Sequence, residues 1–271
     1  FEALDPEAGT SLTDQMRWLH EQVRLHCPQV NRVAIALYDS RLEMLKTYVN
    51  SSDVPHPLSL YERPLSSVPS LEELARDRTA RVINDMAQLP QPHAEHTQWL
   101  LAHGYRSSYT VPLYKPGGLL GFLFFNSREP GQFHGQLLQD LQIHVQLCRQ
   151  AVLDVVDLSR TVGDLAWTTR GTARLRNTET VHHLDRMSSY SRVIARGVAR
   201  KFGRSDEFVE HVYLFAPLHD IGNAGVPDRI LLKPGPLTPE EQDVIRTHPT
   251  LGRNAIEQIR ALAGVSTEFL E

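Results

Sequence analysis

Apolar positions in the first half of the chain switch between helical and strand periodicity. Residues 11–27 carry apolar side chains at helical spacing, and Pro28 closes this predicted helix. The Pro- and Ser-rich stretch 51–68 is predicted to be loop, and a short helix at 70–78 has Ser70 as its N-cap. The predicted strands are 32–39, 44–49, 81–85, and a hairpin of 105–114 and 119–125 across the turn 115–118.

The pattern after the hairpin predicts one long helix from about Gln136. Its apolar face repeats at alternating steps of four and three residues, which is a heptad pattern, through Leu141, Val145, Cys148, Val152, Val155, Ser159, Val162 and Ala166. This face is buried either on the helix's own domain or in a parallel two-stranded coiled coil that joins two copies of the chain. We favour the coiled coil, because the pattern continues beyond the first domain. Gly163 and residues 168–171 are where the helix is expected to bend or end.

A further helix, predicted to begin near Asn177, has a polar face. The residues on it stand at i, i+4, i+7 and i+11, namely Glu179, His183, Arg186 and Tyr190. A Glu and a His one turn apart can reach the same metal ion. By itself the stripe is more typical of a solvated helix surface, so a role in metal binding depends on ligands from later segments of the chain.

The next predicted helix carries an adjacent His219 and Asp220 and ends at Gly222. A neutral imidazole beside a carboxylate suits a divalent transition metal such as iron, manganese or zinc. Pro217 should kink the helix just before this pair, because it removes a backbone hydrogen bond. Asn223 is expected one turn beyond His219, on the same side.

Two helix starts are marked by capping residues. Ser205 caps the helix that carries the His-Asp pair, and Thr238 begins a capping box. The helix after Thr238 is predicted to end at His248, because Pro249 disfavours helical geometry in the residue before it. A His at such a break is free to turn inward as a ligand.

Charge and composition narrow the function classes. The 271 residues have a formal net charge of −4 and no Lys/Arg run, which disfavours nucleic-acid binding by bulk electrostatics. The sequence has no apolar run of membrane-span length and no signal-peptide pattern, so we expect no membrane association. Two cysteines in a chain of this length are typical of a reducing compartment, and a cytoplasmic location is expected.

The first half resembles a GAF domain. The resemblance lies in the last two strands and the segment that closes them, with the sequences 108–113, 120–123 and 127–133. It implies an α+β domain, an antiparallel sheet with flanking helices, over residues 1–135. GAF domains bind small ligands in some members and pair subunits in others, so an unknown small ligand is expected here.

The second half resembles the HD-GYP branch of the HD phosphohydrolases. The ordered motifs that carry the resemblance lie between Asn177 and about Ile259, and comprise 179–186, 219–222, 237–240 and 247–249. They imply an all-α HD-type helical domain over 176–271, joined to the GAF half by the connecting helix 136–175. The family's later His pair and its Gly-Tyr-Pro motif do not occur within these 271 residues.

The HD-GYP resemblance also implies a site. His219 and Asp220 would act at the reacting centre, while Arg186 and Asn223 would contact the substrate. The family usually carries a Lys at the place of Asn223, and Asn brings no charge to a phosphodiester. Two or three divalent ions, iron or manganese, would be held by Glu179, His183, His219, Asp220 and His248.

The implied activity is hydrolysis of cyclic di-GMP to pGpG or GMP, regulated by the GAF half, in a homodimer joined through the connecting helix. Because the later family motifs are missing, we expect this chain to bind metal poorly and to turn over slowly or not at all, while a parent protein can be active. Two alternatives stay open: a catalytically degenerate signalling module, and an HD phosphohydrolase that acts on another nucleotide.

Overall fold

The computed structural model describes residues 11–40, 42–54, 58–89, 95–174 and 181–263. Side chains are described up to residue 156, and again from 183 to 258 with Leu184 excepted. Contacts divide the chain into two compact units, Leu12–Asp154 and the part that begins at Val155. Within the described residues, no helix combines the length and apolar character that a membrane span requires.

The first unit is built on an antiparallel sheet. Its strands are β1 (Arg32–Asp39), β2 (Met44–Ser52), β3 (Glu62–Pro64), β4 (Arg81–Ile83), β5 (Ser107–Lys115) and β6 (Gly118–Ser127). Six strands of the described chain pair in the order β3-β2-β1-β6-β5-β4, and every neighbouring pair is antiparallel. The predicted hairpin is confirmed as β5 and β6.

Helices cover both faces of this sheet. They are α1 (Leu12–His26), α2 (Pro69–Asp77), α3 (Glu95–Ala102) and the long α4 (Gly135–Arg174), with 3-10 turns at Leu65–Ser67 and Met86–Gln88. On one face, α4 is hydrogen-bonded to β5: Gln142 donates to the Tyr109 hydroxyl, and Arg149 donates to the Tyr114 carbonyl oxygen. On the other face, Leu71 of α2 packs in one core cluster with Phe122 of β6. The α+β domain expected from the sequence is therefore present.

Two local predictions in this unit are wrong. The stretch 51–68 is not all loop, since β2 continues to Ser52 and β3 lies at Glu62–Pro64. The N-cap of α2 is Val68 rather than Ser70, because Pro69 takes the first helical position. Pro fits there, where the missing N–H would have no intrahelical partner.

The heptad face of α4 is buried by its own domain over its first part. Leu141, Val145, Cys148 and Val152 lie in the first unit and are each 0–4% exposed in the single chain. The coiled-coil interpretation is therefore wrong for these four positions, because side chains that are already buried cannot form a seam with a second chain. Val155 is 5% exposed and belongs to the second unit. The remaining positions, Ser159, Val162 and Ala166, lie outside the described side chains. The helix is unbroken through Gly163 and through residues 168–171, and is described as far as Arg174.

The second unit is helical. It contains α5 (Val181–Phe202), α6 (Asp206–Phe215), a 3-10 helix (Ala216–Gly225), α7 (Asp228–Leu231), α8 (Pro239–Ile245) and α9 (His248–Ala263). The predicted caps are confirmed, since the Ser205 hydroxyl accepts from the Phe208 N–H and Thr238 forms a reciprocal capping box with Glu241. The 3-10 helix packs against α5, α6 and α9, so it lies at the centre of this unit.

Candidate metal centre

The His-Asp pair lies on a 3-10 helix rather than on the α-helix that the sequence predicted. The α-helix α6 stops at Phe215, two residues before Pro217, and the tighter helix continues to Gly225. A Pro in a helix removes one hydrogen bond and clashes with the carbonyl four residues earlier, which explains the change at this point. The predicted kink is thus present, but Gly222 does not end the helix.

This change of helix type also moves Asn223. A 3-10 helix has three residues per turn, so residues three apart eclipse one another. Asn223 therefore shares its side with Asp220, not with His219 as expected from an α-helix. Its side chain is half-buried.

Asp220 lies between two histidine rings. His219 Nε2 is 3.1 Å from Asp220 Oδ2, and His248 Nε2 is 3.6 Å from Asp220 Oδ1. The Asp220 side chain is 19% exposed, while those of His219 and His248 are 37% and 26% exposed. The three groups thus form a partly solvent-accessible cluster assembled from two separated segments.

Both rings are anchored through their other nitrogen. His219 Nδ1 is 2.8 Å from the Ala216 carbonyl oxygen, and His248 Nδ1 is 2.7 Å from that of Ile245. A carbonyl oxygen only accepts, so each Nδ1 carries the hydrogen and donates it. Each Nε2 therefore faces the Asp220 carboxylate either with a proton of its own or with a lone pair. Two lone pairs facing a carboxylate require a cation between them, and backbone anchoring of the opposite ring nitrogen is typical of metal-binding histidines.

His248 begins a helix instead of ending one. It is the first residue of α9, and Pro249 occupies the first turn, where a missing N–H does little harm. The prediction that His248 terminates the preceding helix is therefore wrong, since α8 ends at Ile245. Its position at a break between helices, which made it a candidate ligand, is retained.

Two glycines let the segments approach. A Cβ at Gly222 would lie 1.8 Å from the His248 carbonyl oxygen and 2.5 Å from the Gly252 nitrogen. A Cβ at Gly252 would in turn lie 3.1 Å from Ile221 Cγ2. Only a residue without Cβ fits at Gly222, so this backbone crossing positions His248 beside Asp220. Sequence reasoning did not find this role for Gly222 and missed Gly252 entirely.

An ion pair fixes the segment before α9. The Glu241 carboxylate accepts from Lys233 Nζ at 2.5 Å and from the Thr238 N–H at 2.8 Å. The hydrogen bond from Lys233, and after it that from Thr238, lowers the pKa of Glu241. The capping box was visible in the sequence, but its link to Lys233 was not.

The other predicted site residues are less closely defined. His183 is half-buried and Arg186 is exposed on α5, which packs against the 3-10 helix. Glu179 lies outside the described residues. Within the part of the chain that the structure describes, no group of three or more His, Cys, Asp and Glu side chains has an arrangement that could hold a metal ion. The cluster of His219, Asp220 and His248 is thus in mutual contact without forming a ready-made cage.

Comparison with known proteins agrees with this division of the chain. A family model described as GAF domain matches residues 17–153, and one described as HD domain matches residues 180–268. The first match covers half of the chain, so the chain belongs to the GAF domain family, and an HD domain lies after the GAF domain.

Three curated relatives are similar to parts of this chain. A Thermotoga maritima protein named cyclic di-GMP phosphodiesterase is 48% identical over 77 residues, which are 28% of this chain and 20% of that protein. A Vibrio cholerae protein named "Probable cyclic di-GMP phosphodiesterase" is 40% identical over 102 residues, 36% of this chain and 23% of that protein. A second V. cholerae protein, named 3'3'-cGAMP-specific phosphodiesterase 2, is 26% identical over 125 residues, 46% of this chain and 23% of that protein. The chain therefore spans about a fifth of the length of these relatives.

Proposed function

We propose that this chain combines a GAF sensor domain with a metal-dependent HD phosphodiesterase domain that acts on cyclic di-GMP. The observation that carries the proposal is the contact of His219 and His248 with the two oxygens of Asp220, at 3.1 and 3.6 Å. The names of the two relatives that are 40% and 48% identical support the choice of substrate.

The side chains of His219, Asp220 and His248 are chemically suitable ligands for a divalent transition metal, and we propose iron or manganese. Two imidazole nitrogens and a carboxylate are suitable ligands, and each ring is already oriented by a backbone carbonyl. We assign His219, Asp220 and His248 to the ions, with His183 and Glu179 as further ligands from α5 and the residues before it. Such ions supply Lewis-acid polarisation of a phosphodiester and activation of water.

The residues of the chain have separate tasks in this proposal. Asp220 offers one oxygen towards each histidine and would contribute its carboxylate to the bound metal. The backbone crossing at Gly222 holds His248 in place, so the cluster does not depend on long flexible side chains. Arg186 and Asn223 are proposed to contact the substrate phosphate, Arg186 from an exposed position on α5.

Metal binding is the first test. We expect the natural protein that contains this chain to bind Mn²⁺, and Asp220→Asn to weaken binding by at least about tenfold, because the neutral amide lacks the negative charge of the carboxylate ligand. Isothermal titration calorimetry measures this, with Fe²⁺ titrated under anaerobic conditions for comparison. Asp243→Asn is the matched control, because Asp243 is 73% exposed and pairs only locally with Arg246. Equal Mn²⁺ affinity of Asp220→Asn and the unchanged protein would contradict the assignment.

Substrate choice is the second test. The natural protein that contains this chain is incubated with cyclic di-GMP or with 3'3'-cGAMP, and the linear products are separated by liquid chromatography. We expect faster hydrolysis of cyclic di-GMP and loss of activity in Asp220→Asn but not in Asp243→Asn. Faster hydrolysis of 3'3'-cGAMP would favour the second cyclic dinucleotide, whose relative is 26% identical.

A non-catalytic signalling module is the second candidate function. It is favoured by the described residues, among which no three-residue metal group is formed, and by the uncharged Asn223. A natural protein that binds no Mn²⁺ or Fe²⁺ and hydrolyses neither dinucleotide would establish this candidate in place of the enzyme.

The proposed homodimer is restricted to the second half of α4. The positions Leu141 to Val152 are buried within the GAF unit itself, so a seam between two chains would need Ser159, Val162 and Ala166. We expect a dimer in sedimentation equilibrium that Val162→Glu dissociates. A monomeric unchanged protein would refute the dimer.

A further inference from the structure

The GAF unit contains a cavity on the α2 face of its sheet. The space between its lining residues is about 670 Å³, part of which is open to solvent. Most of the lining is apolar and comes from β1, β2 and the helices that cover them, including Ala34, Leu45, Val49, Leu71 and Phe124. Several polar residues interrupt this apolar lining, among them Arg32, Lys46, Arg63 and His96; polar groups in an apolar cavity can fix the orientation of a ligand.

Arg32 is the unusual member of this lining. It is only 5% exposed, yet its guanidinium donates to two neutral amides, from Nε to Asn50 Oδ1 and from Nη1 to Asn126 Oδ1, both at 2.6 Å. Trp99 lies beneath it, with the ring centroid 5.6 Å from Cζ. Among the described residues, no carboxylate contributes to the electrostatics of Arg32, whose charged or titratable neighbour is Tyr105. A buried, unpaired charge is unfavourable.

The amides that hold Arg32 are themselves fixed. Asn50 Nδ2 donates to Ser52 Oγ at 3.0 Å, and Asn126 Nδ2 donates to Ser108 Oγ at 3.1 Å. Each amide therefore presents its oxygen to the guanidinium. Burial lowers the pKa of Arg32 to about 10, so it stays charged at neutral pH. The charged guanidinium of Arg32 is thus held in place by residues of the two neighbouring strands, β2 and β6.

The remaining charges around the cavity do not neutralise Arg32. Its other lining cations already have partners, since Lys46 pairs with Asp39 at 2.7 Å and Arg63 with Glu95 at 2.7 Å. The lining of described residues contains no Asp or Glu, and the segments 55–57 and 90–94 of this unit contain none in the sequence. The cavity therefore has an excess of positive charge.

His96 adds a neutral polar group to the lining. Burial, and then the neighbouring Arg81, Arg32 and Arg63, lower its pKa to about 4, so it is uncharged at neutral pH. It can donate or accept one hydrogen bond to a ligand without adding to the charge.

We propose that this cavity binds a small molecule with a largely apolar or aromatic body and one anionic group, a carboxylate or a phosphate, that pairs with Arg32. A guanidinium matches both anions with two parallel hydrogen bonds. The bound anion supplies the charge partner that the protein does not provide. The inference concerns the GAF unit alone and does not rest on the phosphodiesterase assignment.

Three naphthalene probes of equal shape test the proposal by isothermal titration calorimetry. They are 2-naphthoate, 2-naphthyl phosphate and the neutral 2-naphthamide. We expect at least one anion to bind about tenfold or more tightly than the amide, because a charge-assisted pair is lost with the amide. Preference for naphthoate or for naphthyl phosphate distinguishes a carboxylate ligand from a phosphate ligand.

Two variants show whether Arg32 is responsible. Arg32→Gln keeps a donor towards the neighbouring amides and should abolish the preference for the anion. Arg17→Gln, an exposed change on α1, should leave it intact. The proposal is overturned if the three probes bind equally, if none binds at 1 mM, or if the preference survives in Arg32→Gln. If Arg32→Gln fails to fold, the comparison of charged and neutral probes on the unchanged protein still tests whether the cavity prefers an anion.

Discussion

Replacing Gly222 by Ala should separate the two segments of the candidate metal centre. The added Cβ would lie 1.8 Å from the His248 carbonyl oxygen, 2.5 Å from the Gly252 nitrogen and 2.8 Å from the His248 carbonyl carbon. All three are backbone atoms, so no rotamer change relieves the overlap. The helices must move apart by about 1.7 Å before ordinary contact distances of about 3.5 Å are restored.

The expected loss of stability comes from this overlap. Overpacking typically costs about 1–3 kcal/mol, and a clash with rigid backbone belongs at the upper end. A loss of about 2–3 kcal/mol raises the exchange rate of amides in α9 by roughly 30- to 150-fold, if they exchange through opening of this contact. The same separation draws His248 away from Asp220, whose atoms are 3.6 Å apart, so Mn²⁺ affinity should fall as well.

Hydrogen exchange monitored by mass spectrometry measures the opening of α9 directly, and two other glycines serve as controls. A Cβ at Gly197 meets nothing within 4 Å, so Gly197→Ala should stabilise α5 by about 0.5–1 kcal/mol. A Cβ at Gly225 would meet Leu251 Cδ1 at 3.0 Å, a side-chain atom that can rotate away, so Gly225→Ala should have a small effect. The reasoning is refuted if α9 in Gly222→Ala exchanges within threefold of its rate in Gly197→Ala.

Three further outcomes are expected. His211 is 7% exposed, and burial lowers its pKa to about 4. Below about pH 6.5 the unfolded chain takes up a proton at this residue but the folded chain does not, so the free energy of unfolding of the second unit should fall by up to about 3 kcal/mol between pH 6.5 and 4. Urea titrations measure this dependence on pH, and His211→Gln should flatten it. Thr238→Ala removes the hydroxyl that accepts from the Glu241 N–H and should destabilise α8 by about 1 kcal/mol, seen as faster amide exchange confined to that helix. Leu141→Ala should destabilise the GAF unit by about 2–5 kcal/mol in thermal unfolding, whereas Ile143→Ala, at a position 64% exposed, should change it by less than about 0.5 kcal/mol; equal effects would refute the packing of α4 on its own domain.

The heptad face of α4 shows a limit of sequence patterns. Apolar recurrence indicates that Leu141 to Val155 face something apolar, and the structure confirms that they are buried. The pattern does not contain the identity of the covering surface, because a sheet of the same chain and a second helix select the same residues. Here the covering surface is the sheet of the same domain, on which α4 lies.

Local signals predicted five of the six described strands and two of the three caps, because turns and caps depend on neighbouring residues. The strand Arg32–Asp39 has the predicted bounds, and the caps at Ser205 and Thr238 are present. The motifs also singled out His219, Asp220 and His248, which the structure brings into contact, while their role as ligands stays a prediction. The buried Arg32 had no such signal, since a charged residue at the start of a strand is ordinarily a surface residue.

The 3-10 helix explains how His219 and His248 come to the same carboxylate. With three residues per turn, His219, Gly222 and Gly225 form one row along the helix. Gly222 and Gly225 of this row contact α9, at His248, Gly252 and Leu251, three positions that share one face of an α-helix. His219 is the next position of this row after the two glycines, and both His219 and His248 lie near the Asp220 carboxylate. In an α-helix with 3.6 residues per turn, each step of three residues would turn the row by about 60°, and the glycines and His219 would not align. The break at Pro217 is thus what aligns His219 with the two glycines that contact α9.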